Sequence, residues 1–499
     1  MTTTIERGAG RPADTGEDRR GSHAMRWWVL AVLGIAQLMV VLDATIVNIA
    51  LPAAQHDLGF GDADRQWVIT GYALAFGSLL LLGGRLSDLF GRRNTFIVGL
   101  VGFALASAVG GAATSFEMLV AARVGQGVFG ALLAPAALSL LTVTFTEPSE
   151  RAKAFGIFGA VAGTGGAIGL LLGGALTEWA SWRWAMYVNL IFAAVALVGA
   201  VLLLAKHTVT QRPKLDIPGT LTVTAALFGI VYGFSSAETR GWGDPITLAF
   251  LIGGAVLLAA FVVVETRVAH PLLPLRIVTD RTRGASYITV FVMGVGMFAI
   301  FLFLTYYMQL TLGYSPIMTG VAFLPMVAGM VASSTTAPSL LLPRVGPKAV
   351  ISVGFLIAAA GMVWLTRIGL DTGYATHILP ALILLGLGLG AAVSVAFQGA
   401  TSGVHHEDAG VASAMVNTTQ QVGGSIGTAL LSTIAATAMT DYVGSHQPGP
   451  ATLAQAAIES YTTSFWWAAG AFVLGSAVIA VIMPNKVPAP AEGEPVLAH

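Results

Sequence analysis

The sequence predicts an all-α polytopic membrane protein: two six-helix bundles with two extra central helices, fourteen transmembrane helices in all. Three observations carry that expectation. Of 499 residues 55% are hydrophobic and only 10% charged, and the mean hydropathy is +0.78, far more apolar than a soluble domain. The apolar residues gather into runs long enough to cross a bilayer, which needs about 20 residues per helix. The basic residues then fall mainly in alternate loops, as they do in a chain threaded back and forth through a membrane.

In order, spans are expected near 27–51, 66–84, 94–113, 117–145, 152–177 and 184–205, a first block of six. Two more follow near 217–235 and 246–265. A second block of six lies near 284–311, 317–341, 347–367, 375–400, 411–439 and 461–483. The corresponding parts are a disordered cytoplasmic tail at 1–25, an N-terminal bundle at 26–206, a linker with two helices at 207–283, a C-terminal bundle at 284–484 and a cytoplasmic tail at 485–499. Trp27, Trp28, Trp67, Trp182, Trp184, Trp466 and Trp467 sit at expected helix ends, as an interfacial aromatic belt would.

Sorting the 25 Lys and Arg against this threading, with the N-terminus in the cytoplasm, places 20 inside. Arg65, Arg183, Arg240 and Arg367 fall outside, and Arg123 lies within a span. An error in the helix count before any loop would scramble that asymmetry. The expected setting is a bacterial inner membrane crossed many times, with both termini cytoplasmic.

Composition also excludes classes. The net charge is zero and gives no footprint for nucleic acid. There is no Cys, hence no thiolate metal site, redox centre or disulfide. The polar start, with Arg7, Arg11, Arg19 and Arg20, lacks the short apolar core of a signal peptide. No Gly-rich phosphate loop supports direct ATP drive, and no nucleophile and base stand in a supporting motif. Neither an enzyme nor a cofactor or metal is expected.

The anomaly is Asp43, late in the first apolar run. A carboxylate in a spanning helix costs several kcal/mol, on the order of 3 by insertion scales, and defaults to a functional reading. It lies about eight residues from the expected outer end, roughly 12 Å at 1.5 Å per residue. Arg123 enters the fourth span from the same side to a similar depth. Pairing would favour the carboxylate and burial the acid, so a change in either loads or releases a proton. A permanent structural ion pair is the bland alternative.

The loop Gly84-Arg85-Leu86-Ser87-Asp88-Leu89-Phe90-Gly91-Arg92-Arg93 reads plainly as a topogenic turn, with glycines for tight bends and basic residues to hold it inside. Its spacing also matches the G-x-L-x-D-x-x-G-R-[RK] signature of the major facilitator superfamily. Arg123-Val124-Gly125-Gln126-Gly127 resembles that superfamily's fourth-helix motif, and Leu42 to Pro52 is similar to the first-helix motif of its fourteen-helix drug:proton antiporter family, the multidrug efflux type. Trp67 to Tyr72 and Asn417 to Gly424 resemble further segments of that family, so the likeness spans about 30–480. A shorter echo relates Gly84–Arg93 to Pro343–Lys348, keeping only a Gly and a basic residue.

The resemblance implies roles. Asp43 and Arg123 would couple transport to protons. Gly84, Asp88, Gly91 and Arg92 would gate the conformational change together with Gly159, Gly163, Gly169 and Gly173, part of a stripe with Gly166 that allows close backbone approach. Two departures stand out: Leu170 follows Gly169 and Ile191 follows Asn189 by two, where the family usually has prolines, so a kink in the fifth span is in question. Candidate substrate contacts are Asn48, Phe298, Tyr306, Gln309, Gln398, Asn417 and Gln420, aromatic or amide groups that suit amphipathic or cationic ligands. His405, His406, Glu407 and Asp408 read as a solvated loop rather than a metal cluster.

The function expected is proton-coupled export of small drugs by a monomer, its partners being substrate, protons and the lipid bilayer. An uptake symporter for a metabolite has the same architecture with the opposite direction. A non-transporting membrane sensor would show no flux and no dependence on Asp43.

Overall fold

The computed structural model describes residues 16–61, 64–145, 147–204, 216–268, 271–402, 404, 409–447 and 449–485. The first block comprises α1 (Gly16–Leu58), α2 (Gln66–Phe90), α3 (Arg92–Gly111), α4 (Phe116–Thr144), α5 (Pro148–Trp179) and α6 (Trp184–Leu203). Next come α7 (Ile217–Arg240), α8 (Pro245–Arg267) and the single turn α9 (Leu275–Thr279). The second block comprises α10 (Arg281–Tyr306), α11 (Pro316–Thr336), α12 (Leu342–Leu365), α13 (Leu379–Thr401), α14 (Ala409–Ser445) and α15 (Pro450–Ile482). Among the described residues there is no strand. That is the solution lipid imposes, since every backbone polar group must be satisfied within its own segment.

Short polar residues start these helices. Ser115, Asp216, Asp244, Asp280 and Ser315 each accept a backbone N–H from the first turn of α4, α7, α8, α10 and α11. Twelve stretches among the described residues are long and apolar enough to cross a membrane. One of them, Pro316–Leu365, contains both α11 and α12, and within α5 only Ile168–Trp179 qualifies, as a shorter apolar helix. α1 continues to Leu58, past the expected end at 51. α5 runs unbroken through Leu170.

The two blocks repeat one packing scheme. α1 packs on α5 and α6, α2 on α4, and α3 on α4 and α6; α10 packs on α14 and α15, α11 on α13, and α12 on α13 and α15. The blocks meet where α2 lies on α14 and α5 on α11. Backbone turns repeat as well. Gly59 after α1 and Gly313 after α10 have φ of 68° and 67°, and Gly91 and Gly346 have 89° and 79°. These left-handed values suit glycine, and they make the short sequence echo around Gly91 and Gly346 a structural one. α7 and α8 form a hairpin outside the blocks, with α7 touching α2 and α14. Only 17% of the apolar window of α8 is buried, which turns that helix toward lipid.

Candidate functional site

The site is built on Asp43, which is completely buried in α1. Arg123 of α4, 2% exposed, donates from Nη1 to Asp43 Oδ2 at 2.6 Å. The other carboxylate oxygen, Oδ1, accepts from Gln126 Nε2 and from Asn189 Nδ2, each at 2.7 Å. Gln126 stands one turn after Arg123 on α4 and Asn189 comes from α6, so three helices converge on one carboxylate.

The arginine and the glutamine are themselves held. Arg123 Nε donates to the Val68 carbonyl of α2 at 3.0 Å, Nη1 also reaches Gln126 Oε1 at 2.7 Å, and its guanidinium lies 4.5 Å from the centre of the Tyr72 ring. Gln126 Nε2 donates further to Ser107 Oγ of α3 at 2.8 Å. A planar guanidinium spreads its donors over a rigid fork and so reaches partners on different helices, whereas an ammonium holds its three donors on one atom. A buried charge survives only when paired and hydrogen-bonded. Here both charges are, by groups on α1, α2, α3, α4 and α6.

The glycines of α5 bring a further backbone against this centre. A Cβ on Gly169 would collide with Thr45 Oγ1, and one on Gly173 would stand 3.0 Å from Ile46 Cα. Both positions face the α1 segment that carries Asp43. Gly166 has nothing within 4 Å of a Cβ, whereas Gly165 has Val41 at 3.0 Å. The close face is therefore 165, 169 and 173. For Gly159, Gly163, Asp88 and Phe298 only the helical backbone is described, and the segment 405–408 lies outside the described residues.

The remaining expected residues are dispersed. Asn48 is buried on α1 and donates to the Ala44 carbonyl at 2.8 Å, while its Oδ1 is buried without a protein donor. Tyr306, at the end of α10, donates to Gln55 Oε1 of α1 at 2.6 Å, with Arg65 stacked 4.2 Å from its ring. Gln309 Nε2 donates to the Ile49 carbonyl at 3.2 Å. These two residues tie the blocks together near the α1–α2 turn. Gln420 is half-buried, its carbonyl against Gly294 of α10, whereas Gln398 of α13 and Asn417 of α14 are exposed. At the opposite end of α2, Gly84 lies against Pro135, Gly91 makes the turn, Arg92 opens α3 and Arg85 donates to the Pro271 carbonyl at 3.0 Å.

Sequence reasoning missed Asn189, Ser107 and Tyr72 as parts of the charge centre. Each is one polar group in a span, and only Gln126, three residues after Arg123, carried a signal through spacing.

Long apolar helices around a buried, hydrogen-bonded ion pair define a multi-pass membrane protein with charge held inside its bundle. The comparisons make the class specific. The family model of the Major Facilitator Superfamily matches residues 33–428, and the chain belongs to that family. The puromycin resistance protein pur8 of Streptomyces alboniger is 49% identical over 472 residues, 94% of each chain. The cephamycin export protein CmcT of Amycolatopsis lactamdurans is 39% identical over 434 residues, 86% of this chain and 88% of that one. In fold, a crystal structure of the nucleoside transporter NupG matches 92% of this chain and 100% of its own with a TM-score of 0.63 at 11% identity.

Proposed function

We propose that the protein exports small amphipathic or cationic antibiotics across the bacterial inner membrane in exchange for protons. The observation that carries this reading is Asp43: fully buried, yet ionically paired with Arg123 and bonded to Gln126 and Asn189. Protonation from outside cancels its charge, and Arg123 then has no reason to stay beside it. The contacts joining α1 to α4 and α6 weaken together, and the two blocks rock to expose the proton to the cytoplasm. Deprotonation restores the pair and resets the cycle. The names of the relatives, one for puromycin resistance and one for cephamycin export, support an exported antibiotic as cargo.

The proposal includes fourteen spans, with α11 and α12 counted separately and α5 as one, both termini in the cytoplasm, and a monomer. It keeps the bundles at 26–206 and 284–484 and the linker at 207–283, a division favoured by the repeated packing scheme. With that orientation, Tyr306 and Gln309 close the outer end in the present state and are freed for substrate when it opens. Asn48, Gln398, Asn417 and Gln420 remain the proposed polar contacts within the path, and Phe298 an aromatic one. The test is susceptibility of a sensitive host to a panel of antibiotics and cationic dyes, puromycin first, with and without expression. Equal susceptibility across the panel, with the protein present in the membrane, overturns the export reading.

A further inference from the structure

A pair of buried acids lies in the central hairpin, apart from the Asp43–Arg123 centre. Asp216, 2% exposed, caps α7, and Glu265, 5% exposed, sits near the end of α8. Each has one carboxylate oxygen fixed by a backbone amide: Asp216 Oδ1 accepts from Gly219 N at 2.8 Å, and Glu265 Oε2 from Leu273 N at 2.9 Å. Their other oxygens, Asp216 Oδ2 and Glu265 Oε1, are buried with no donor among the described residues. Both press on the same point: a Cβ on Gly219 would stand 2.2 Å from Asp216 Oδ2 and 2.6 Å from Glu265 Oε1, so the two oxygens are neighbours.

Two carboxylate oxygens facing each other out of water repel, and one proton between them turns the repulsion into a hydrogen bond. A hard cation suits the place poorly, because it takes about six to eight oxygens and two of these four are committed to amides. Among the described residues, Arg85 of α2 is the charged side chain outside the pair that acts on Glu265. It donates to the Pro271 carbonyl rather than closing on either acid. Leu272 and Leu273 pack with Leu81, Val223, Leu227 and Phe261, and Val411, Ala414, Met415 and Val422 of α14 lie against this cluster.

We propose that Asp216 and Glu265 hold one proton between them, forming a proton-binding site distinct from Asp43 whose occupancy keeps the Pro271–Leu273 segment docked on α2. Loss of that proton leaves two like charges in a poorly solvated site. Arg85 is then drawn from Pro271 toward them, and the segment that bridges the hairpin to α10 loosens. The device makes the docking of the central hairpin sensitive to pH at the Gly84–Arg93 end of the molecule.

The test is infrared difference spectroscopy of the purified full chain in lipid nanodiscs, titrated from acid to alkaline pH without substrate. A protonated-carboxyl band that bleaches on alkalinisation is expected in the wild type and in Asp43→Asn, and is lost in Asp216→Asn and in Glu265→Gln. A band that persists in both hairpin variants, or one that disappears only in Asp43→Asn, overturns the proposal. Because the chain has no native Cys, Leu272→Cys gives a second readout in an otherwise unaltered protein. Its alkylation, taken relative to that of a free thiol at the same pH because the thiolate is the reactive form, should rise severalfold on alkalinisation, and a ratio that does not change with pH overturns the docking role. Neither readout needs drug export, so either outcome is separable from the fate of that reading.

Discussion

Arg123 Nη1 lies 2.6 Å from Asp43 Oδ2 with neither side chain more than 2% exposed. Removing one partner of such a buried pair strands the other, at about 3–5 kcal/mol in folded proteins. Arg123→Ala is therefore expected to insert in the membrane yet lose drug efflux, with a lowered unfolding temperature in detergent. Arg123→Lys should recover stability better than transport, since an ammonium cannot span Asp43, Val68 and Gln126 together. Efflux and thermal unfolding measured on the same preparations check both.

Asn189→Ala and Gln126→Ala each remove a donor from Asp43 Oδ1. Hydrogen bonds to a charged group are worth about 1.5–3 kcal/mol, so each variant should unfold at a lower temperature in detergent and transport drug more slowly in proteoliposomes. Thermal unfolding and drug transport measured on the same preparations check this.

Position matters along α5. Gly169→Leu and Gly173→Val push side chains into Thr45 and Ile46 of α1, and overpacking of this kind costs about 1–3 kcal/mol. Both should lower folded yield and transport. Gly166→Ala, with open space around its Cβ, should leave both near wild type, as size-exclusion profiles and efflux would show.

Tyr306→Phe removes the hydrogen bond from the end of α10 to Gln55 of α1, and Gln309→Ala the one from the turn that follows α10 to Ile49 of α1. The population closed at that end should fall in both. Spin labels on single cysteines placed in α1 and α10 would report it as a longer mean distance, and the absence of native Cys keeps the labelling clean.

Much of the fold was legible because lipid imposes simple rules: apolar runs of fixed length, with Lys and Arg sorted between them. Asp43 and Arg123 were legible for the same reason, as charges where charge is costly. Asn189, Ser107 and Tyr72 were not, because an amide or hydroxyl in a span is ordinary interhelical glue and its partner is chosen by tertiary packing. The repeat was nearly hidden too. Gly91 and Gly346 share a backbone conformation, while the residues around them have little in common. Nothing in the sequence relates Asp216 to Glu265, and only the folding of α7 onto α8 brings them together.

The central claim is that Asp43 carries the exchanged proton. The most direct measurement is drug-driven proton movement in proteoliposomes containing wild type or Asp43→Asn, with drug binding measured in parallel. Wild type should move protons when drug is added, and Asp43→Asn should bind drug but move none. Proton movement at the wild-type rate in Asp43→Asn would contradict the account.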